Sequence, residues 1–147
     1  MEFSDGSVLT EGAVIVQWVA DQAPATKLLP LAGTMERVRT QEWLHYIASE
    51  IHKGTSIFYN KLASEELLAG VRTKLTDRLD FLGKNVEGKP YLVGDAFTVA
   101  DGYAFYAMRS WQHTHKGTLT PGLMAYYQRI AARPHVKAAL EAEGITA

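Results

Sequence analysis

The sequence predicts a mainly α-helical fold, in which a helical bundle follows a short β-hairpin and a single helix. Three observations support this fold class. Apolar residues recur at helical spacing in long stretches between positions 34 and 142. Thr98 and Asp101 have the spacing of a capping box, which begins a helix. The pair Asp5-Gly6 is typical of a tight hairpin turn near the N-terminus. At 147 residues the chain is about one domain and is long enough to bury a core.

The first part of the chain combines an extended pattern with one apolar helix. Residues 2–10 predict a β-hairpin that turns at Asp5-Gly6 in a type I′ turn. Thr10 is expected to cap a helix that runs to about Asp21 and is apolar almost all round. Proline and glycine punctuate the next ten residues, which predicts three segments: 1–23, a linker at 24–33, and 34–147. Because two strands cannot bury their face alone, we expect the rest of the sheet to be missing from this sequence.

The remainder of the chain predicts helices in succession. Their expected bounds are 34 to about 57, 64 to just before Gly83, 98 to about 111, a helix from Pro121, and a short one over 136–143. In the third of these, Gly102 occupies the position where an apolar side chain would meet Phe97 in a hydrophobic staple. We therefore expect the cap to form without the staple.

Composition excludes several classes of function. Lys and Arg total 15 against 16 Asp and Glu, so the chain has no basic surplus for nucleic acid or an anionic membrane, and a DNA-binding helical protein is disfavoured. The absence of cysteine excludes disulfides, thiolate metal sites and a cysteine nucleophile from these residues. No signal peptide is visible, and the longest apolar stretch, 13–20, is too short to span a membrane. A cytoplasmic location is the default expectation.

Several segments resemble one family. Residues 91–101, Y-L-V-G-D-A-F-T-V-A-D, resemble the start of the core helix in the all-helical domain of cytosolic glutathione transferases. Residues 5–12 resemble the last hairpin and helix start of that family's thioredoxin-like domain. Residues 41–53 are similar to the first long helix of the bacterial beta class, and residues 129–144 resemble its C-terminal helix and tail. The resemblance implies a glutathione-transferase C-terminal helical bundle preceded by a remnant hairpin and helix of a thioredoxin-like domain.

The resemblance also implies a function and an absence. Family members conjugate reduced glutathione to small apolar electrophiles, work as homodimers and need no metal. The earlier half of their thioredoxin-like domain carries the catalytic cysteine and a cis-proline loop, and neither has a counterpart in this sequence. We therefore expect a truncated enzyme that is inactive or weak by itself. The alternative is a non-catalytic binding or dimerisation module, because a missing half would uncover apolar surface.

Glu11 and Gly12 are the main substrate-binding candidates. If Thr10 caps the helix, its first turn offers free N–H groups to a carboxylate, and Glu11 offers a carboxylate to an ammonium group. An α-amino acid group needs both partners, and the resemblance implies that this turn binds the γ-glutamyl end of glutathione. Gly12 stands where relatives often carry serine. The alternative for Glu11 is a simple charge at a helix start.

His52 and Lys53 are the catalytic candidates. A histidine can carry a proton near neutral pH, and a neighbouring lysine can stabilise a thiolate. The resemblance implies that His52 approaches the glutathione sulfur, whereas the alternative for both is a solvated helix face. Trp111, with His113 and His115, is expected to line an electrophile pocket, although core packing is the ordinary role of such a tryptophan.

A metal site is not expected. His45, Ser49 and His52 lie on one face of the predicted helix at positions i, i+4 and i+7. A zinc site needs at least three nitrogen, sulfur or carboxylate ligands, and this face offers only two histidines.

Overall fold

The computed structural model describes residues 1–145 and confirms the mainly helical bundle. Within that range six α-helices follow one another: α1 (Gly12–Asp21), α2 (Met35–Tyr46), α3 (Glu65–Val86), α4 (Val99–Arg109), α5 (Pro121–Ala131) and α6 (Pro134–Ala142). None of these helices is long and apolar enough to cross a membrane. The last predicted segment ends at residue 147, which lies outside the described residues.

The N-terminal hairpin forms, but its turn differs from the prediction. A single antiparallel bridge pairs Glu2 with Val8. The N–H of Phe3 donates to Ser7 O and the N–H of Gly6 donates to Phe3 O, each at 2.9 Å. A type I′ turn needs positive φ at both Asp5 and Gly6, and only Gly6 has it, at 81°. The type I′ prediction is therefore wrong: three residues turn the chain, with glycine in the left-handed position.

Helix α1 begins one residue later than predicted and is held against the bundle. Its N-cap is Glu11, with φ 65°, so the prediction that Thr10 caps the helix is wrong. The helix ends at Asp21 as expected. There both carboxylate oxygens of Asp21 accept hydrogen bonds from Arg37 of α2, at 2.9 and 2.8 Å. This two-point pair fixes the end of α1 relative to α2.

The long helix expected over 34–57 changes its winding twice. The helix begins where predicted, and Thr34 caps it by accepting from the Arg37 N–H at 3.2 Å. After α2 the chain continues as a π-helical segment, Ile47–His52, and then as a 3₁₀ segment, Lys53–Tyr59. A second π-helical segment, Ser110–Thr114, follows α4. π-Helical turns frequently occur at functional sites, and both π-helical segments border the same cavity.

Helix α3 starts at the predicted position and continues beyond the predicted end. Ser64 accepts from the Leu67 N–H at 3.2 Å. The helix then passes through Gly83 to Val86, so the expected end before Gly83 is wrong. A Cβ on Gly83 would lie 3.6 Å from the Cβ of Leu123 on α5. Gly83 thus lies where α3 and α5 pack together, and this contact keeps the helix intact through a residue of poor helix propensity.

Helix α4 begins with the predicted capping box. The Ala100 N–H donates to Thr98 Oγ1 at 3.3 Å, and the Thr98 N–H donates to Asp101 Oδ2 at 2.8 Å. Asp101 is completely buried, and its Oδ1 accepts from the Leu92 N–H at 2.9 Å and from the Tyr126 hydroxyl at 2.6 Å. One carboxylate therefore joins the helix start to the preceding loop and to α5.

Candidate functional site

A cavity of about 740 Å³ opens between the start of α1, the π-helical and 3₁₀ segments that follow α2, and α4. Four of the five predicted site residues line it: Glu11, Gly12, His52 and Lys53. These residues lie on elements that are far apart in sequence. Apolar side chains, among them Val16, Leu28, Phe97 and Val99, form much of the remaining wall. The cavity thus combines a few charged and polar groups with an apolar surface, the usual composition of a small-molecule site.

The start of α1 presents unused hydrogen-bond donors at this cavity. The N–H groups of Val14 and Ile15 donate to Glu11 O, each at 2.9 Å. The N–H groups of Gly12 and Ala13 find no acceptor within residues 1–145. The Glu11 side chain caps no N–H and is exposed. The positive end of the helix dipole and a free carboxylate therefore occupy the same place.

His52 lies beside two tyrosines of α4. Its Nδ1 is 2.8 Å from the Tyr103 hydroxyl, and its Nε2 is 3.5 Å from the Tyr106 hydroxyl. The histidine ring meets both tyrosine rings edge-on, with centroids 5.8 and 5.1 Å apart, while the tyrosine rings stack on each other. His52 is therefore held at the cavity wall by the short Nδ1 contact with Tyr103 and by the two tyrosine rings.

Tyr103 connects His52 to the start of α1 electrostatically. Burial raises the pKa of the Tyr103 hydroxyl, and the neighbouring Tyr106 and the Glu11 carboxylate raise it further. Neither tyrosine was predicted from the sequence as a site residue. Their i, i+3 spacing on the helix that begins at the capping box was the available signal, because that spacing places two aromatic rings on one face.

Lys53 begins the 3₁₀ segment and is exposed. Its ammonium group makes no ion pair with any residue of the described chain. The cavity lining therefore includes a lysine ammonium group that no carboxylate of the described chain neutralises.

Trp111, the fifth predicted site residue, lies in the core. It is 2% exposed, does not line the cavity, and donates its indole N–H to Thr118 O at 3.0 Å. A Cβ on Gly117 would lie 1.9 Å from this indole, so only glycine permits the close approach. His113 and His115 also lie outside the cavity lining, and burial lowers the pKa of His115. The prediction that Trp111, His113 and His115 line an electrophile pocket is therefore wrong for this cavity. Trp111 packs in the core instead.

The side chains of His45, Ser49 and His52, which share a face of the predicted helix, do not form a metal site. His45 and Ser49 are exposed, whereas His52 turns its ring nitrogens to tyrosines. No group of three potential ligands for a metal ion occurs among residues 1–145.

The chain is similar to known proteins over nearly its whole length. Residues 41–143 match the model of the glutathione S-transferase C-terminal domain. Glutathione S-transferase GstA of Escherichia coli O157:H7 is 38% identical over 143 residues, which cover 96% of this chain and 71% of that protein.

Two solved structures agree with this match. The bacterial glutathione S-transferase BphK, solved as a ternary complex, superimposes with a TM-score of 0.92 at 41% identity, covering 99% of this chain and 73% of BphK. A sphingomonad glutathione S-transferase solved with glutathione gives a TM-score of 0.89 at 34% identity with the same two coverages. The family model, the sequence relative and these superpositions show that the chain belongs to the glutathione S-transferase family.

Proposed function

We propose that this chain binds reduced glutathione in the cavity between α1 and α4 and takes part in its conjugation to small apolar electrophiles. The observation that carries the proposal is that Glu11, Gly12, His52 and Lys53 line one cavity. In the reaction the glutathione thiol gives its proton to solvent, and the thiolate forms a carbon–sulfur bond with the electrophile. The electrophile accommodates the new bond by releasing a leaving group with its bonding electron pair, or by taking up the pair of a double bond to which the thiolate adds. The sphingomonad relative, which was solved with glutathione, supports the choice of ligand.

The start of α1 suits the γ-glutamyl end of glutathione. That end carries an α-carboxylate and an ammonium group on one carbon. The free Gly12 N–H and the helix dipole favour the carboxylate, and the Glu11 carboxylate favours the ammonium group. Two opposite charges separated by one carbon therefore meet two complementary partners on adjacent residues.

The sulfur end is assigned to His52 and Lys53. A ring N–H of His52 can donate to a thiolate, and the unpaired ammonium group of Lys53 favours negative charge on sulfur. Val16, Leu28 and Phe97 offer the apolar surface that an uncharged electrophile requires.

The family resemblance supplies the finer parts of the proposal. We assign the chain to the bacterial beta class, with residues 1–23 as the last part of a thioredoxin-like domain, a homodimeric assembly and a cytoplasmic location. Because the sequence has no cysteine to act as in that class, we expect weak conjugation by these 147 residues alone.

A binding or dimerisation module is the second candidate function. Val8, Val14 and Val19 are 66%, 45% and 51% exposed. This candidate assigns these exposed aliphatic side chains of the hairpin and α1 to a surface that another protein segment covers. A dimer that binds no glutathione would favour this candidate.

Calorimetric titration of the chain with glutathione tests the proposal. Wild-type protein is compared with Glu11→Ala and with Glu65→Ala, a matched variant that removes an exposed glutamate at the start of α3. We expect binding by the wild type and by Glu65→Ala. A charge-assisted contact contributes about 1.5–3 kcal/mol, so Glu11→Ala should bind at least about tenfold more weakly. Absence of binding in folded wild-type protein, or equal loss in both variants, would contradict the proposal.

A further inference from the structure

We propose that Tyr103 is a positioning residue that fixes the tautomer of His52, so that Nε2 carries the proton of the neutral ring and donates it into the cavity. The tautomer assignment depends only on the contacts of these side chains. Its use, donation to the sulfur of glutathione, rests on the proposed function.

The hydrogen-bond partners of Tyr103 decide the direction of the bond to His52. A tyrosine hydroxyl has one proton to donate, and a partly buried hydroxyl with a single protein partner is best satisfied when that partner accepts the proton. Within residues 1–145 the only hydrogen-bond partner of this hydroxyl is His52 Nδ1, at 2.8 Å. We infer that the hydroxyl donates and Nδ1 accepts, because the reverse arrangement would leave the tyrosine proton without a protein acceptor among the described residues.

An accepting Nδ1 places the ring proton on Nε2. In a neutral imidazole one nitrogen accepts and the other carries the proton. Nε2 lies 3.5 Å from the hydroxyl of Tyr106, which is half exposed and lines the cavity. This distance is at the limit of hydrogen bonding, so the Nε2 proton remains available to a ligand.

The environment of Tyr103 keeps its hydroxyl protonated, as the inference requires. Burial, Tyr106 and Glu11 all raise its pKa above the ordinary value of 10.0, so the hydroxyl keeps its proton and remains a donor at neutral pH. The other charged and titratable groups that line the cavity are Glu11 at the start of α1, Lys53 and Tyr59 on the 3₁₀ segment, and the two tyrosines of α4.

Nitrogen NMR of protein labelled with ¹⁵N-histidine tests this inference without a ligand. The tautomer ratio of His52 is measured about two pH units above its own titration midpoint, and a His52→Gln variant identifies its signals among the five histidines. Tyr103→Phe removes the donor and keeps the ring. Tyr106→Phe is the matched control, since it removes a hydroxyl from the same ring stack.

We expect the Nε2–H form to dominate in the wild type and its ratio to the Nδ1–H form to fall about fivefold in Tyr103→Phe, the worth of one ordinary hydrogen bond. Tyr106→Phe should change the ratio less than about twofold. A dominant Nδ1–H form in the wild type, no change in Tyr103→Phe, or an equal change in both variants would overturn the proposal. If Tyr103→Phe does not fold, the wild-type ratio alone decides.

Adding glutathione to the same samples separates this inference from the proposed function. If glutathione binds near His52, the Nε2 resonance shifts in the wild type. If the tautomer is as expected and glutathione leaves every histidine signal unchanged, the positioning by Tyr103 stands and the proposed function fails.

Discussion

The starts of α1 and α4 form a contrast within one molecule. At α4, Thr98 and Asp101 satisfy each other, and the buried Asp101 accepts two further hydrogen bonds. At α1, Glu11 caps nothing with its side chain, has a φ of 65°, and leaves the Gly12 N–H free. The start of α4 stabilises the fold, whereas the start of α1 retains unsatisfied groups at a cavity.

The difference follows from solvent access. An unpaired polar group in the core loses its hydration without compensation, so the α4 start must be complete. The α1 start is exposed, where water or a ligand can take the same donors. The strain at Glu11 is tolerated because other contacts hold α1, including the Arg37–Asp21 pair and the Phe3–Trp18 ring contact at 5.0 Å.

Breaking the α4 start should have the largest effect. Asp101→Ala leaves the N–H groups of Leu92 and Thr98 and the Tyr126 hydroxyl without their acceptor. At about 1–3 kcal/mol for each buried group, we expect a loss of roughly 3–5 kcal/mol in the free energy of unfolding. Urea denaturation followed by circular dichroism measures it. Asp5→Ala, at an exposed turn, should cost less than about 1 kcal/mol, and similar losses in both would contradict this account.

The buried hydrogen bond between Tyr126 and Asp101 predicts that the protein loses stability at alkaline pH. Burial and the Asp101 carboxylate raise the pKa of Tyr126 above its ordinary value of 10.0. A raised pKa in the folded state stabilises the protein below pH 10, and this contribution is lost as the pH rises above 10. Between pH about 10 and about 11 we expect Tyr126 to make the free energy of unfolding of the wild type fall by up to about 1.4 kcal/mol per pH unit. Tyr126→Phe should lack this part of the fall. Urea denaturation at several pH values measures both slopes. Identical slopes in wild type and variant would contradict it.

Relaxing the α1 start should stabilise the fold and weaken the site. Glycine adopts positive φ without strain, so Glu11→Gly should raise the free energy of unfolding by about 1 kcal/mol while glutathione binding falls. Lys27→Gly is the control, because Lys27 also has positive φ, 54°, but lies outside the cavity lining. We expect Lys27→Gly to raise the free energy of unfolding as well but to leave glutathione binding unchanged. Urea denaturation measures the stabilities, and calorimetry measures the binding. A destabilised Glu11→Gly would show that no strain is stored there.

Completing the α4 start should have the smallest effect. Gly102→Ala places a Cβ 3.6 Å from Phe97 Cζ, in ordinary van der Waals contact, and improves helix propensity. We expect a gain of about 0.5–1 kcal/mol in thermal or urea unfolding. Gly70→Ala in α3, where a Cβ meets nothing within 4 Å, measures propensity alone. If Gly102→Ala raises the free energy of unfolding no more than Gly70→Ala does, the added contact with Phe97 contributes nothing to stability.

Local signals predicted those parts of the fold that depend on neighbouring residues. The Thr98–Asp101 box and the helix starts expected near residues 34 and 64 were correct, because the residues that begin a helix act within one turn. The end of α3 was not, since packing of Gly83 near Leu123 outweighs glycine's helix propensity. The bond from Asp101 to Tyr126 spans 25 positions, which no local pattern reveals.

The sequence by itself determined the helical bundle, most helix starts and four residues of the candidate site, because periodicity, capping and family motifs are local. Only the tertiary structure decided that Glu11 takes over the cap with positive φ, that Trp111 is buried, and that Tyr103 and Tyr106 meet His52. These outcomes depend on how α1, α4 and the π-helical segments pack together. Such packing is set by the summed contacts of distant elements, and a site assembled from distant elements therefore appears only when the chain has folded.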